Sequence, residues 1–344
     1  MKVNTLVNIK LTQESGQTSM PPWKYEKGSF SNMIYLKEES IFNNESLKDS
    51  YLNELPVLLK VHQDKNDFNN FDYTSQLPKK LENNEILSKK DLKNIDLAVY
   101  EKLKWTFDLD FDLNGFYDFL SGDEKLVDSI EFCRGLRLFL ASNPFECLIS
   151  SICSANNSIA RWTKSVEMMK DIWGEKIEFE SGTFKSFPKA SDFKGFYKTP
   201  IEEAEADGHA MELECYTHNL KSCGVGYRAD YMIKASKIFS DEHDLSDIFK
   251  MDYDEAFELI LKTPGVGPKV ADCILLYGFN FKEAFPSDVW IKRIVSHLYF
   301  DGEDISANKV REFGMDYFGD YAGYAQLYLF HYARKSGLMD KLNK

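Results

Sequence analysis

The stretch "DYDEAFELILKTPGVGPKVADCILLYGF", residues 252–279, decides the fold. It opens and closes with apolar residues at helical spacing, and between them Pro264, Gly265 and Gly267 break the period. The pattern predicts a helix, a short glycine-bearing hairpin and a second helix. Such a corner exposes consecutive backbone N–H groups at the second helix's N-terminus. With the helix dipole, those groups form an anion site suited to a DNA phosphate. The glycines permit close backbone approach and positive φ angles. Taken alone, the same pattern also describes an ordinary helix–turn–helix corner.

Lys269 stands just inside the second helix, with Cys273 four residues on and so on the same face. The partial positive charge of a helix start is expected to lower the amine's pKa and favour its nucleophilic neutral form. Nineteen residues after the lysine, Asp288 follows a proline and a serine in "FPSDVWIKR". A lysine nucleophile and a nearby carboxylate fit Schiff-base chemistry at a sugar carbon, with the carboxylate stabilising positive charge and managing protons. Asp288 equally suits the cap of a helix starting at Val289.

Outward from this corner the periodicity stays helical. "NPFECLISSICSANNSIARWTKSVEMMKDIWG" (143–174) holds two apolar helical patterns with "SANNS" near their junction. "AMELECYTHNLKSCGVGYRADYMIKASKIF" (210–239) breaks at Gly224 and Gly226 and then resumes a helix, and the tail from about 307 is helical too. Residues 1–37 instead show strand-like alternation, with "MIYL" the clearest strand. Residues 38–104, rich in Asn, Lys, Asp and Glu, are expected to add strands and at least one charged helix. The expected fold class is α+β: an N-terminal antiparallel β-sheet domain over 1–104, then an all-α assembly over 105–344 with the helix–hairpin–helix at about 252–279.

Composition narrows the function. The 344 residues are 43% hydrophobic and 14% aromatic, enough for a sizeable core and unlike a disordered chain. No apolar run reaches bilayer length, and "MKVNTLVNIKLTQ" lacks a signal peptide's apolar core, so a soluble intracellular protein is expected. The six cysteines, Cys133, Cys147, Cys153, Cys215, Cys223 and Cys273, form no C-x-x-C pair, and none follows Cys273. No zinc ribbon or iron–sulfur cluster is therefore expected. The net charge of −13 opposes a purely electrostatic DNA binder but leaves room for one focused DNA-binding face.

"PGVGPKVADC" with the downstream aspartate of "FPSDVW" resembles the helix–hairpin–helix–Gly/Pro–Asp superfamily of DNA glycosylases, and within it the 8-oxoguanine DNA glycosylase/AP lyase family. "FECLISSICSANNSIAR" (145–161), "CGVGYRADY" (223–231), "YAGYAQLYLF" (321–330) and "SGQT" (15–18) resemble the same family. The resemblance implies a TBP-like N-terminal domain contributing part of the base pocket, and a glycosylase core of two helical subdomains. It implies a bifunctional enzyme of base excision repair that flips 8-oxoguanine out of duplex DNA, excises it and nicks the abasic strand by β-elimination. Lys269 would be the nucleophile and Asp288 the stabiliser of the sugar cation. Cys273 and Phe330 would sandwich the flipped base, Gln326 would read its Watson–Crick edge, and the Gly16 carbonyl would accept the N7 hydrogen that guanine lacks.

Asn156 would fill the gap in the duplex, Tyr227 would wedge beside it, and Arg161 and Arg228 would contact the orphaned cytosine. Gly265, Gly267, Val270 and Trp290 would hold phosphates. The carbonyls of Leu261, Thr263 and Val266 would hold a structural Na+ or K+, the only cofactor expected. The partner would be duplex DNA bearing 8-oxoguanine opposite cytosine, bound by a monomer in the cytoplasm of a prokaryote or the nucleus of a eukaryote. The chain departs from the family at Ser158, third of its "NNS" triplet, and in "TSMPPW" after Gln17. Two alternatives stay open: a glycosylase of the superfamily for alkylated or other damaged purines, and a non-catalytic helix–hairpin–helix DNA-binding module.

Overall fold

The computed structural model describes residues 1–37, 54–82, 87–193 and 219–338. Residues 38–53, 83–86, 194–218 and the last six lie outside this description, and with them Cys215 and the "AMELECYTH" half of the predicted 210–239 segment.

Five antiparallel strands form the N-terminal sheet: β1 (Lys2–Asn4), β2 (Lys24–Glu26), β3 (Ser29–Lys37), β4 (Glu54–His62) and β5 (Asn70–Gln76), in spatial order β1-β5-β4-β3-β2. The long pair β3–β4 runs in register from Ser29 opposite His62 to Lys37 opposite Glu54. The "MIYL" strand lies within β3. Two readings of this half need correction. Residues 9–14, expected to alternate as strand, form helix α1 (Ile9–Glu14), because the Asn8 side chain accepts the Leu11 N–H at 3.0 Å and caps it. The charged helix expected before residue 104 is α2 (Lys89–Thr106), and it runs past that point. Its buried stripe, Ile95, Val99 and Leu103, packs with Phe107, Phe139, Trp23 and the sheet residues Val57, Leu59 and Val61. The N-terminal core thus draws on residues up to 139.

The helical core contains α3 (Leu113–Ser121), α4 (Pro144–Ser154), α5 (Ile159–Trp173), α6 (Arg228–Lys237), α7 (Tyr253–Leu261), α8 (Pro268–Phe279), α9 (Val289–Tyr299), α10 (Ala307–Phe318) and α11 (Ala322–Lys335). It is not wholly α. A hairpin of β6 (Lys176–Phe179) and β7 (Gly182–Lys185) follows α5, and its Ile177 and Phe179 bury Met33 and Leu58 on the sheet's other face.

Helix α8 is the centre of the core: every residue from Val270 to Phe279 is buried. A helix so largely apolar must be enclosed, and only its first turn opens outward, with Pro268 exposed and Lys269 half-buried. The predicted helix–hairpin–helix is α7–α8, with Pro268 at the first helical position, where its missing N–H costs nothing.

The two halves are tied by a buried polar knot around Arg137. Its Nε donates to the Leu6 carbonyl at 2.8 Å, and its Nη1 to the carbonyls of Asp108 at 2.6 Å and Phe111 at 3.1 Å. The Asp108 carboxylate accepts from Tyr324 of α11 at 2.9 Å and from Asn280 and Lys282 beyond α8. Removing the guanidinium leaves buried carbonyls unpaired. Arg137→Met should lower the unfolding free energy by about 3 kcal/mol, read from urea midpoints, and Arg137→Lys should recover less than half of that loss.

Candidate active site

Four segments distant in sequence meet beside the start of α8. Lys269 is half-buried, and one turn on lies Cys273, 4% exposed. The amine and the Thr18 hydroxyl both interact with the Cys273 thiol. Thr18 also bonds Ser151 of α4 at 2.9 Å, so the "SGQT" loop reaches the face of α8 that carries Lys269 and Cys273.

The loop is held firmly. Gln17 donates to the Arg137 carbonyl and to Ser15 Oγ, each at 3.0 Å, and accepts the Phe139 N–H at 2.8 Å. Gly16 adopts φ +91°, and a Cβ there would collide with Ile159 Cδ1 and lie 3.2 Å from Arg334 Nη1. Only glycine suits both constraints. Arg334 donates to the Ser15 carbonyl at 3.2 Å and lays its guanidinium 4.8 Å over the Phe330 ring. Gln17, Thr18 and Arg334 escaped the sequence reading as pocket supports. Gln17 and Thr18 sit inside the matched "SGQT", whereas Arg334 lies one turn past Phe330 with no local signal.

Gln326 is 3% exposed. Its Nε2 donates to the Pro286 carbonyl at 2.9 Å, and its Oε1 has no hydrogen-bond partner. Pro286 lies two residues before Asp288, so α11 is bonded to the turn that presents the carboxylate. Asp288 caps α9: one carboxylate oxygen accepts the N–H groups of Trp290 and Ile291, each at 2.9 Å. The capping expected of Asp288 is therefore real, and its negative charge also favours the ammonium of Lys269.

The Lys269 amine departs from expectation. Burial disfavours its ammonium form, but Cys273, Asp288 and Asp272 together favour it more, and its pKa stands above that of an ordinary lysine. The helix start was expected to lower this pKa; nearby acidic groups outweigh that partial charge. Burial raises the pKa of the Cys273 thiol, although Lys269 and Thr18 pull the other way.

A second cluster abuts this pocket at the α4–α5 turn. Asn157 donates to the Cys153 carbonyl at 3.0 Å, and Ser158 caps α5 by accepting the Arg161 N–H at 3.3 Å. The local caps thus fall to residues 157 and 158, which gives Ser158 of "NNS" a structural reason. Asn156 is exposed and held at φ +50°. Arg228 is buried and turned onto the protein, donating to the carbonyls of Ala155, Asn156 and Val225. Arg161 is exposed. Tyr227 projects at 56% exposure, with the Arg228 guanidinium 4.6 Å from its ring centre. Tyr227 packs edge-on against Tyr231, and a Cβ on Gly265 (φ +80°) would collide with Tyr231, so the hairpin abuts the aromatic pair.

At the hairpin, Gly267 precedes α8 with open space around it and Val270 is buried. The Thr263 carbonyl accepts the Val266 N–H at 3.1 Å, and the Thr263 hydroxyl is buried without a partner. Trp290 is half-buried at the start of α9. A separate cavity of about 540 Å³ lies between the sheet, α2 and α4, lined by Tyr35, Trp105 and the Glu146–Lys170 ion pair among others; none of the residues above lines it. Among the described residues, no cluster of His, Cys, Asp and Glu suits a metal ion, and no helix is long and apolar enough to cross a membrane.

This arrangement places Lys269, Cys273 and Thr18 together at the start of α8, next to the α7–α8 hairpin, and known proteins with similar sequences fit it. Residues 1–148 match the N-terminal domain of 8-oxoguanine DNA glycosylase, and residues 149–319 match the HhH-GPD superfamily of base excision DNA repair proteins. A probable N-glycosylase/DNA lyase of Methanothermobacter thermautotrophicus is 39% identical over 98% of this chain and 96% of its own length. MBOgg1, solved with a low-affinity DNA ligand, superposes with a TM-score of 0.71 at 27% identity, covering 98% of this chain and 96% of that one. The 8-oxoguanine glycosylase/lyase of Clostridium acetobutylicum, solved on duplex DNA with cytosine opposite 8-oxoguanine, gives 0.64 at 25% identity over 93% of this chain and all of that one (100%). The chain belongs to the 8-oxoguanine DNA glycosylase/AP lyase family of helix–hairpin–helix base excision repair enzymes.

Proposed function

We propose that the enzyme removes 8-oxoguanine lying opposite cytosine in duplex DNA, working as a monomer, and cleaves the resulting abasic strand through a Schiff base on Lys269. The observation that carries this reading is the meeting of Lys269, Cys273, the Thr18 loop and the Asp288 turn at one end of a buried helix. In the first step the Lys269 amine gives up a proton and its nitrogen bonds to C1′ as the C1′–N9 bond breaks. The base leaves with that electron pair and takes up a proton, and the Asp288 carboxylate steadies the positive sugar. The sugar ring then opens to the imine. Loss of a C2′ proton expels the 3′ phosphate and nicks the strand.

Recognition follows from the pocket walls. The unpaired Gln326 Oε1 is an acceptor suited to the N–H groups on a flipped guanine's Watson–Crick edge. The Gly16 carbonyl, in a loop pinned by Gln17 and Arg334, would accept N7–H of 8-oxoguanine and meet a lone pair in guanine. Cys273 and Phe330 would take the two faces of the base. Asn156 and Tyr227, exposed on the second cluster, suit the gap and the wedge. Arg161 would reach the cytosine freely, whereas Arg228 would first serve to hold the Asn156 turn. The N–H groups of Gly265, Gly267 and Val270, with Trp290, would hold phosphates. The carbonyls of Leu261, Thr263 and Val266 would hold Na+ or K+, a fit supported by the orphaned Thr263 hydroxyl.

With 8-oxoguanine opposite cytosine, borohydride should trap a covalent complex with the wild type and none with Lys269→Gln. Efficient release of 3-methyladenine alone, without trapping, would instead favour an alkylated-purine glycosylase. Asp288→Asn keeps a good helix cap but removes the charge, so single-turnover excision should fall about 100-fold or more while stability changes by less than about 1 kcal/mol. A parallel loss of stability and activity would reduce Asp288 to its cap.

A further inference from the structure

The buried helix α8 carries one charged residue that this chemistry does not use. Asp272 is fully buried, and it lies three residues after Lys269, near enough in the helix to share its face. A carboxylate so placed is a natural partner for the ammonium of Lys269, and it does favour that charge.

Its oxygens are engaged from elsewhere. Arg311 of α10 donates from Nε to Oδ2 at 2.7 Å and from Nη2 to Oδ1 at 3.2 Å. Tyr253, at the start of α7, donates its hydroxyl to Oδ1 and accepts from Arg311 Nη2. The guanidinium also lies 4.2 Å over the Phe257 ring, which fixes its plane. Burial pushes the Asp272 carboxyl above its ordinary range, with Arg311 and Tyr253 opposing. The groups that act on Lys269 are Cys273, Asp288 and Asp272, and Asp288 is faced in turn by Arg334. Without Arg311, Asp272 would be a buried carboxylate left to Tyr253 and Lys269, a costly arrangement relieved by keeping the lysine's ammonium beside it.

We propose that Arg311 is a positioning residue for the lysine chemistry: by holding the Asp272 carboxylate from the opposite side, it leaves the Lys269 amine free to hand on its proton and attack the sugar. The proposal rests on the Schiff-base reading above.

The test is the pH profile of single-turnover cyanoborohydride trapping on a duplex carrying an abasic site opposite cytosine. Arg311→Met should move the rising limb to higher pH by about one unit, an approximately tenfold loss at neutral pH that recovers in alkali. Asp272→Asn should move it the other way, because an unopposed guanidinium then disfavours the ammonium. The double variant should return towards the wild type, and Arg311→Lys should shift in the same direction as Arg311→Met but less. Should Arg311→Met fail to fold, the opposed shifts of Arg311→Lys and Asp272→Asn carry the same test. Equal loss at every pH, no shift, or shifts in one direction for both residues would overturn the proposal and leave the cluster a packing device. A wild type that never traps would refute the Schiff-base reading instead.

Discussion

A primary amine held half-buried among acidic groups is the constraint on which the site depends. Water is partly excluded from Lys269, which disfavours its charge, yet Cys273, Asp288 and Asp272 restore and strengthen it. The amine therefore rests protonated in a place poorly solvated for protons. Attack requires that proton to leave, and the groups that stabilise it also decide where it goes. Helix α8 makes this possible: buried from Val270 onwards, it is fixed on all sides and opens only at its first turn, next to the α7–α8 hairpin.

The remaining contacts serve that first turn. The pocket loop at 15–18 belongs to the N-terminal half, yet it is pinned by Gln17 to the carbonyl of Arg137, the residue that also knots Leu6, Asp108 and Phe111 together. Arg334 ties the same loop to Phe330, and Gln326 ties α11 to the Pro286 turn that presents Asp288. The residues proposed to contact the base thus sit on segments held by these hydrogen bonds, as discrimination by a single hydrogen bond requires. The −13 net charge is compatible with the proposed DNA contacts, because backbone N–H groups at a helix start can hold phosphate without a basic surface.

Much of this was legible in the sequence, and what was not has physical reasons. The α7–α8 hairpin announced itself because proline and glycine punctuate the helical period there, and Asp288 was visible as a carboxylate after a proline. The long β3 strand showed itself in the β-prone apolar run Met33–Leu36. Helix α1 was misread because six residues give too little period to separate helix from strand, although Asn8 was a readable cap. The β6–β7 hairpin was missed despite clear alternation in "KIEFESGTFK", because helices surround it on either side. The Asp272–Arg311 and Arg137 clusters leave no local trace: each joins residues far apart in sequence, and a buried charge announces itself only when its enclosure is known. The lowered lysine pKa failed for the same reason, since the helix start was legible and its acidic neighbours were not.

The most direct test of the account is the identity of the residue that joins the DNA. The borohydride-reduced complex on 8-oxoguanine–cytosine duplex should be digested with nuclease and protease and the adduct sequenced by mass spectrometry. The account predicts the sugar remnant on Lys269, in a peptide spanning the hairpin and the start of α8. A remnant on the Met1 amine, or on another lysine such as Lys292, would contradict it.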